Sequence, residues 1–424
     1  MIKHYNELFD ETSYTETLDN GLKVIIFHKP GYSLTSACFG TAFGGLNICQ
    51  RHNARDYSFH PGTAHFLEHK LFESEEKDIM TAFSLMGANV NAFTSYKETV
   101  YYFTKSGEDI KDCLNLLLDF VQNLSITKES VEKEKGIIVE EVSMYMQNPD
   151  SRLINETYKS LYEKYPLKYD IGGDEESVMA ITKEELEECY SLNYHPSNMI
   201  LSITTPLDPK LIIDIVKENQ NRKSFIPIEK PLNIIEEESE EVYRKEYSFN
   251  MDISSSKSCY AIKLKPDFKT EMEAYRKEWA VRLYLNAYFS NLNPDYQLWL
   301  DKGIINDYFG FETDFSKDYA NIIFYIEGQD AQSLKKLIDE ELKKDLLNEE
   351  MIEQIKRRYL GISFRLFNDI DGFNSGYIRD LLEDLDFFEE ISTLMNLTYE
   401  EVRETFSKVS FDNYALINIF PRGK

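Results

Sequence analysis

The sequence predicts an α+β fold built as two homologous domains, each an antiparallel sheet packed with helices. Three observations carry that expectation. From Thr15 to Thr205, short strand-like runs alternate with helical ones, the pattern of α+β layers. A segment rich in Pro and Glu, Asn221 to Glu241, then breaks the rhythm. After it a similar succession restarts. At 424 residues the chain is also too long for one ordinary domain. The expected division is a first domain at 1–220, a linker at 221–241 and a second, diverged domain at 242–424.

Taken in order, Asp19-Asn-Gly21 between β-rich runs predicts a hairpin from Thr15 to Lys29. A strand follows at Ser36 to Gly44, and then a helix opens after Pro61-Gly62, with Thr63 as its expected cap. A helix near Asp78–Met86 closes at Gly87, ahead of strands at Asn89–Thr94 and Thr99–Thr104. Helices are expected near Asp109–Gln122 and from Thr127 to Gln147, the second stopped by Asn148-Pro149. A further helical region follows Asp150, then a loop from Tyr165 to Asp174, a short helix from Thr182 to Tyr190 and a strand at Ile200–Thr205. In the linker, Pro227, Pro231 and the run Glu236-Glu-Glu-Ser-Glu-Glu241 disfavour regular structure. The second half reads as a strand near Cys259–Leu264, a helix at Glu271–Ser290 and strands at Ile305–Phe311 and Asn321–Glu327. Helices at Ala331–Leu342 and Glu349–Arg358 and a last strand near Tyr414–Phe420 complete it.

Composition narrows the function. The 74 acidic against 47 basic residues give a formal net charge of −27, which argues against nucleic acid because phosphate binding needs clustered Lys and Arg. Five cysteines, Cys38, Cys49, Cys113, Cys189 and Cys259, are scattered with no C-x-x-C pair and read as reduced thiols. Met1 to Asn20 is polar and lacks an apolar h-region. No stretch approaches the roughly 18 apolar residues of a membrane span. A cytoplasmic protein is expected.

The chemistry centres on Pro61-Gly-Thr-Ala-His-Phe-Leu-Glu-His-Lys-Leu-Phe-Glu73, where His65, Glu68 and His69 are spaced H-x-x-E-H. Residues four apart stack on one helical face, so both imidazoles can reach one ion, with Glu68 on the same rim. Leu67 and Leu71 supply the buried face. Two histidines at this spacing could equally be satisfied core residues. A hydrolytic zinc site needs a third protein ligand and an open position. The best candidates lie on the capped helix Val131–Val142, where Glu134 and Glu141 are two helical turns apart and share a face. Alone, that helix would read more readily as a solvated acidic face.

The H-x-x-E-H helix followed by the paired-glutamate helix resembles the inverzincins, the insulinase/pitrilysin and mitochondrial-processing-peptidase family. The resemblance covers roughly Thr15 to Thr205, including Gly87-Ala-Asn-Val-Asn-Ala-Phe-Thr94 and the region from Gly172 to Met199. In detail, His-Lys-Leu-Phe-Glu is most similar to the zinc-bearing member of paired bacterial processing-protease-like proteins. The resemblance implies one Zn²⁺ per chain held by His65, His69 and Glu141. It makes Glu68 the general base toward the attacking water and Glu134 a supporting carboxylate at the catalytic centre. Asn89, Asn91, Ala92, Phe93 and Thr94 become an edge strand that pairs with an extended peptide.

In catalytic relatives a ligand-free domain supplies an Arg seven residues before a Tyr. Here Tyr308 stands where the Tyr belongs, but Asp301 holds the Arg position, and a negative group cannot stabilise a developing oxyanion. The function this implies is a zinc metalloendopeptidase acting on peptides or small unfolded proteins, with leader-peptide processing among its readings. The rival is a poorly active or non-enzymatic partner subunit of a heterodimeric peptidase. The complete set of His65, Glu68, His69 and Glu141 speaks against it, because inactive halves typically lack part of the set. A histidine-based metal store is disfavoured by the single tight cluster. In the larger family four such domains enclose a chamber. A chain of half that length is therefore expected to pair with a homologous chain lacking the zinc set, otherwise with itself.

Overall fold

The computed structural model describes residues 1–73, 78–226 and 228–423. Its strands are β1 (Ile2–Asn6), β2 (Glu11–Thr17), β3 (Lys23–His28), β4 (Leu34–Thr41), β5 (Cys49–His52), β6 (Arg55–Ser58), β7 (Ala88–Thr94), β8 (Thr99–Ser106), β9 (Met199–Thr205), β10 (Leu232–Asn233), β11 (Glu246–Met251), β12 (Lys257–Leu264), β13 (Gly310–Ser316), β14 (Tyr319–Glu327) and β15 (Tyr414–Pro421). In the first half the helices are α1 (Thr63–Leu71), α2 (Ile79–Leu85), α3 (Lys111–Val121), α4 (Lys128–Gln147), α5 (Pro149–Leu161), α6 (Glu175–Ala180), α7 (Lys183–Asn193) and α8 (Pro209–Gln220). The second half adds α9 (Glu271–Tyr288), α10 (Tyr296–Asp301), α11 (Ala331–Glu341), α12 (Glu349–Leu366), α13 (Ile370–Leu382), α14 (Phe387–Asn396) and α15 (Tyr399–Phe406).

The chain forms two compact units, and they are not the contiguous blocks 1–220 and 242–424. Unit 1 is Met1–Val142, Asp170–Ile235 and Arg365–Asp384; unit 2 is Ser143–Tyr169, Glu236–Phe364 and Leu385–Lys424. The backbone crosses from one unit to the other inside α4 and again inside α12. The segment read as a linker is built into both units. Its β10 pairs with β5 in unit 1. In unit 2 the Glu238 carboxylate accepts from the backbone N–H groups of Glu163, Lys164 and Tyr165 and from Lys263. Pro227 lies outside the described residues.

Unit 1 is organised on a seven-stranded sheet of order β1-β2-β3-β9-β4-β8-β7. The β3–β9 pair is parallel and the other pairs are antiparallel. Side chains alternate across it. Ala37 and Phe39 of β4 are buried on the face that carries α1, α3 and α8, while Ser36, Cys38 and Gly40 face α13. Asn374 of α13 is fully buried there: its Nδ2 donates to the Ser36 and Ser202 carbonyls at 3.1 Å each, and its Oδ1 accepts from Ser202 Oγ at 2.7 Å. Gly40 permits this approach, since a Cβ there would sit 2.7 Å from Leu382 Cδ1.

Unit 2 repeats the plan with five strands, β11-β15-β12-β14-β13. The correspondence is pair by pair: β11–β15 is parallel like β3–β9, and the three remaining pairs are antiparallel like β4–β9, β4–β8 and β7–β8. One face packs Tyr260, Ile262, Phe324 and Leu283 into the core. On the other lies α5, where Lys263 Nζ donates to the Leu161 carbonyl at 2.9 Å. Asn148 caps α5 by accepting from the Asp150 and Ser151 N–H groups, with Pro149 in its first turn. Two expectations for this half are corrected. The strand expected at Ile305–Phe311 is β13 at Gly310–Ser316, because Ile305 and Phe309 are drawn into the core from a turn. The helix expected to reach Ser290 ends at Tyr288, and a separate helix, α10, follows.

Candidate metal centre

The centre begins with how α1 starts. Gly62 has a φ of 96°, and a Cβ there would lie 2.6 Å from the Gly172 carbonyl oxygen. Gly173 has a φ of 79°, and its Cβ would lie 2.5 Å from the Pro61 oxygen. Two glycines therefore let the backbone before α1 interlock with the loop before α6. Thr63 does not cap the helix as expected. It is the first helical residue, and its hydroxyl lies 2.8 Å from the His60 carbonyl and 2.9 Å from Glu185 Oε1. Glu185 on α7 also accepts from the His60 N–H and Nδ1. Sequence reasoning missed Glu185, which sits in an ordinary charged helix.

From this anchored start, His65 and His69 project together, with ring centroids 4.6 Å apart. Leu67 and Leu71 are buried on the opposite face as expected. The second component comes from α4, where the Thr127 hydroxyl accepts from the Ser130 N–H at 3.1 Å. Spacing left Glu134 and Glu141 equivalent, and the structure separates them. Glu141 Oε2 lies 3.4 Å from His69 Nε2, and its Oε1 lies 3.9 Å from His65 Nε2. Glu134 Oε1 instead accepts from His69 Nδ1 at 3.0 Å. One ligand atom each from His65, His69 and Glu141 falls within 4.8 Å of the others.

This donor set fits zinc. Two ligands each about 2.1 Å from a tetrahedral ion stand about 3.4 Å apart, the separation found between Glu141 and His69. Two neutral nitrogens and one carboxylate leave a fourth position open. Burial, with help from the His69 charge, drives His65 down to about 4, so its imidazole is neutral and its Nε2 can donate a lone pair. His69 is different. Burial would lower it, but the bond to Glu134 and the charges of Glu141 and Glu68 raise it overall. A field of carboxylates that favours a proton on His69 also favours a cation in that proton's place. Glu134, partnered by His69, is held below the usual carboxylate range.

Glu68 stays out of the ligand set and next to it. Its Oε2 accepts from the Thr94 hydroxyl at 2.5 Å. Burial raises its proton affinity, and the Thr94 bond works against that rise. A carboxylate whose proton affinity is raised by burial is the better acceptor for a proton from a neighbouring water.

Thr94 ends β7, which pairs with β8 and is a terminal strand of the sheet. Asn89 and Asn91 are exposed, while Ala92, Phe93 and Thr94 are half-buried. The Ala92 N–H is covered by the Asn91 side chain at 2.9 Å. The Thr94 side chain thus ties the end of this edge strand to the Glu68 carboxylate. Tyr308 lies in unit 2, where its hydroxyl donates to Asp150 Oδ1 at 2.7 Å and Lys257 Nζ stands 3.7 Å from its ring centroid. Asp301, exposed at the end of α10, accepts from Gln297 at 2.9 Å.

The chain is similar in sequence and in fold to known proteins. Residues 53–175 match the family described as insulinase (peptidase family M16), and residues 180–359 match the peptidase M16 inactive domain. A Bacillus subtilis (strain 168) relative named uncharacterized zinc protease YmfH is 34% identical over 431 residues, covering 100% of both chains. A Schizosaccharomyces pombe protein named probable mitochondrial-processing peptidase subunit beta is 27% identical over 208 residues, covering 48% of this chain and 44% of that one. A crystal structure described as an M16-like peptidase from Alicyclobacillus acidocaldarius superposes with a TM-score of 0.90 at 30% identity, covering 97% of this chain and 99% of that one.

Proposed function

Because the chain belongs to the insulinase (M16) peptidase family, we propose that it is a zinc-dependent metalloendopeptidase that cleaves extended peptides or small unfolded proteins. One observation carries the reading: the ligand atoms of His65, His69 and Glu141 converge beside a carboxylate, Glu68, that a different partner holds. Zinc bound there supplies an activated water and a polarised carbonyl. The remaining work falls to the chain. Glu134 holds the Nδ1–H of His69, which fixes the tautomer that turns Nε2 toward the ion. Glu68 takes a proton from the attacking water and passes it to the leaving amine.

The open side of β7 supports a substrate that adds as a further strand through backbone hydrogen bonds. Such recognition reads little of the side chains, which suits leader peptides or mixed peptide pools. The Asn91 carboxamide on the Ala92 N–H blunts this edge until a peptide displaces it.

A second reading is favoured by Asp301, an acid where family resemblance calls for an Arg. In that reading the chain is one subunit of a heterodimer and depends on a homologous partner for full turnover. All five cysteines are free, which supports a cytoplasmic setting; no helix among the described residues is long and apolar enough to cross a membrane.

The test is direct. The purified chain should carry one zinc and cleave an unstructured peptide library, and a chelator should abolish both until zinc is restored. Zinc without cleavage that appears on adding a homologous partner supports the second reading. Neither zinc nor cleavage refutes both.

A further inference from the structure

The edge strand β7 has two faces, and the candidate metal centre lies on one of them. Thr94 points to that face, where its hydroxyl meets Glu68. Its neighbour Phe93 points to the other, and packs there against the cluster of Cys38, Val100, Ile378 and Leu382 where β8 and α13 meet. The Arg379 guanidinium of α13 stands 5.8 Å from the Phe93 ring centroid. Arg379 is fixed from behind. Its Nε donates to Glu98 Oε1 at 3.0 Å, and the Glu98 side chain is fully buried while that of Arg379 is 50% exposed. Among the described residues no acceptor meets its two Nη groups. A guanidinium anchored through Nε still presents those groups as a fork that fits a carboxylate. The nearby acid Glu383 is engaged elsewhere, by Lys97 at 2.8 Å.

We infer that Arg379 and Phe93 read one side chain of the substrate, on the face of the added strand away from the metal, and that the side chain they select is glutamate. The inference rests on the peptidase reading above. In a strand that pairs with β7, the residue opposite Phe93 shares its face, with the two Cβ atoms about 5 Å apart. The residues on either side of it point toward Glu68 instead. A glutamate opposite Phe93 lays its methylenes along the ring and its carboxylate on the exposed fork of Arg379. Because side chains alternate, the selectivity falls on a single position of the peptide. The net charge of −27 draws cationic peptides in from a distance, so an acidic preference at one position has a local cause.

The experiment uses the full-length chain with zinc and an unstructured peptide that has one main cleavage site, each position near the cleaved bond being set in turn to Glu or Gln. In kcat/KM, Glu should be preferred to Gln about fivefold at one position, the upper end for a partly exposed ion pair, and at none of the others. The same ratio should appear in peptide Kd measured by fluorescence anisotropy on Glu68→Gln, where turnover does not intervene. Added salt should lower it, and Arg379→Gln should erase it. If Arg379→Gln does not fold because Glu98 is left buried without its cation, the double variant Glu98→Gln with Arg379→Gln serves and should show the same loss. No position that prefers Glu, or a preference that survives in the folded Arg379 variant, overturns the inference. So does a preference at that position for an aromatic side chain over Glu, which would mean that Phe93 alone is read. The peptidase reading fails separately, and takes this one with it, if no peptide of the series is cleaved or if a chelator leaves cleavage intact.

Discussion

The two units set the same kind of contact in two different environments. In unit 1, α1 follows the central strand β4 and precedes the edge hairpin β7–β8; in unit 2, α9 follows β12 and precedes β13–β14. In each, a glutamate on the helix accepts from a threonine on the edge strand: Glu68 from Thr94 at 2.5 Å, and Glu278 from Thr313 at 2.9 Å. The difference lies in what else the glutamate meets. Arg282 donates to Glu278 at 2.7 Å and to both the hydroxyl and the carbonyl of Thr313, so the charge is consumed internally. Glu68 has His69 and Glu141 beside it, and among the described residues no Lys or Arg forms an ion pair with it. The shared scaffold pairs its carboxylate with an arginine in unit 2 and sets it beside the candidate metal ligands in unit 1.

The sharpest way to break this comparison is to remove each carboxylate. Glu68→Gln should lower kcat for peptide cleavage about 10³-fold with zinc content unchanged, whereas Glu278→Gln should leave kcat and zinc alone. Equal losses would mean the Glu68 effect is structural. The second test separates the two α4 carboxylates. Glu141→Gln should cost more zinc affinity than Glu134→Gln, for which about 10–100-fold is expected, and titration of both variants ranks them. A reversed order would exchange ligand and support. Third, Arg282→Met leaves Glu278 without its cation. Denaturant unfolding should show a loss of about 2 kcal/mol, with zinc affinity as in wild type. The smallest effect sharpens the threonine contact. Thr94→Val should reduce kcat about tenfold and Thr94→Ser should restore most of it, while Thr313→Val should show in stability alone.

The sequence made α1 legible because H-x-x-E-H has a helical period and its apolar partners, Leu67 and Leu71, fall on the other side. The same periodicity could not rank Glu134 against Glu141, since residues two turns apart share a face whatever they touch; only the 3.4 Å and 3.0 Å contacts with opposite nitrogens of His69 do. Long-range pairings stayed hidden for a similar reason. Nothing near Tyr308 announces Asp150, and nothing near Thr63 announces Glu185. Among the helices the sequence reading missed, with α8, α14 and α15, is α13, whose sequence carries two glycines and an asparagine that lower helix propensity. Those small and polar residues suit a helix pressed onto the Ser36, Cys38 and Gly40 face of β4. Packing, which one sequence does not display, overrode propensity there.

The crossings inside α4 and inside α12 have a consequence for how this molecule comes apart. Each sheet has one face covered by a helix that the chain delivers from the other half of the sequence: α13 on β4 and β9, α5 on β12 and β15. Cutting between the halves would therefore not release two self-sufficient bodies, because each fragment would expose a polar-lined sheet face shaped for a helix it no longer owns. Separately produced halves should be sticky and poorly folded, and should recover solubility when mixed. Heating the intact chain should melt it in one step, since the cover of each sheet runs on from a long helix that spans the division between the units, α5 from α4 and α13 from α12.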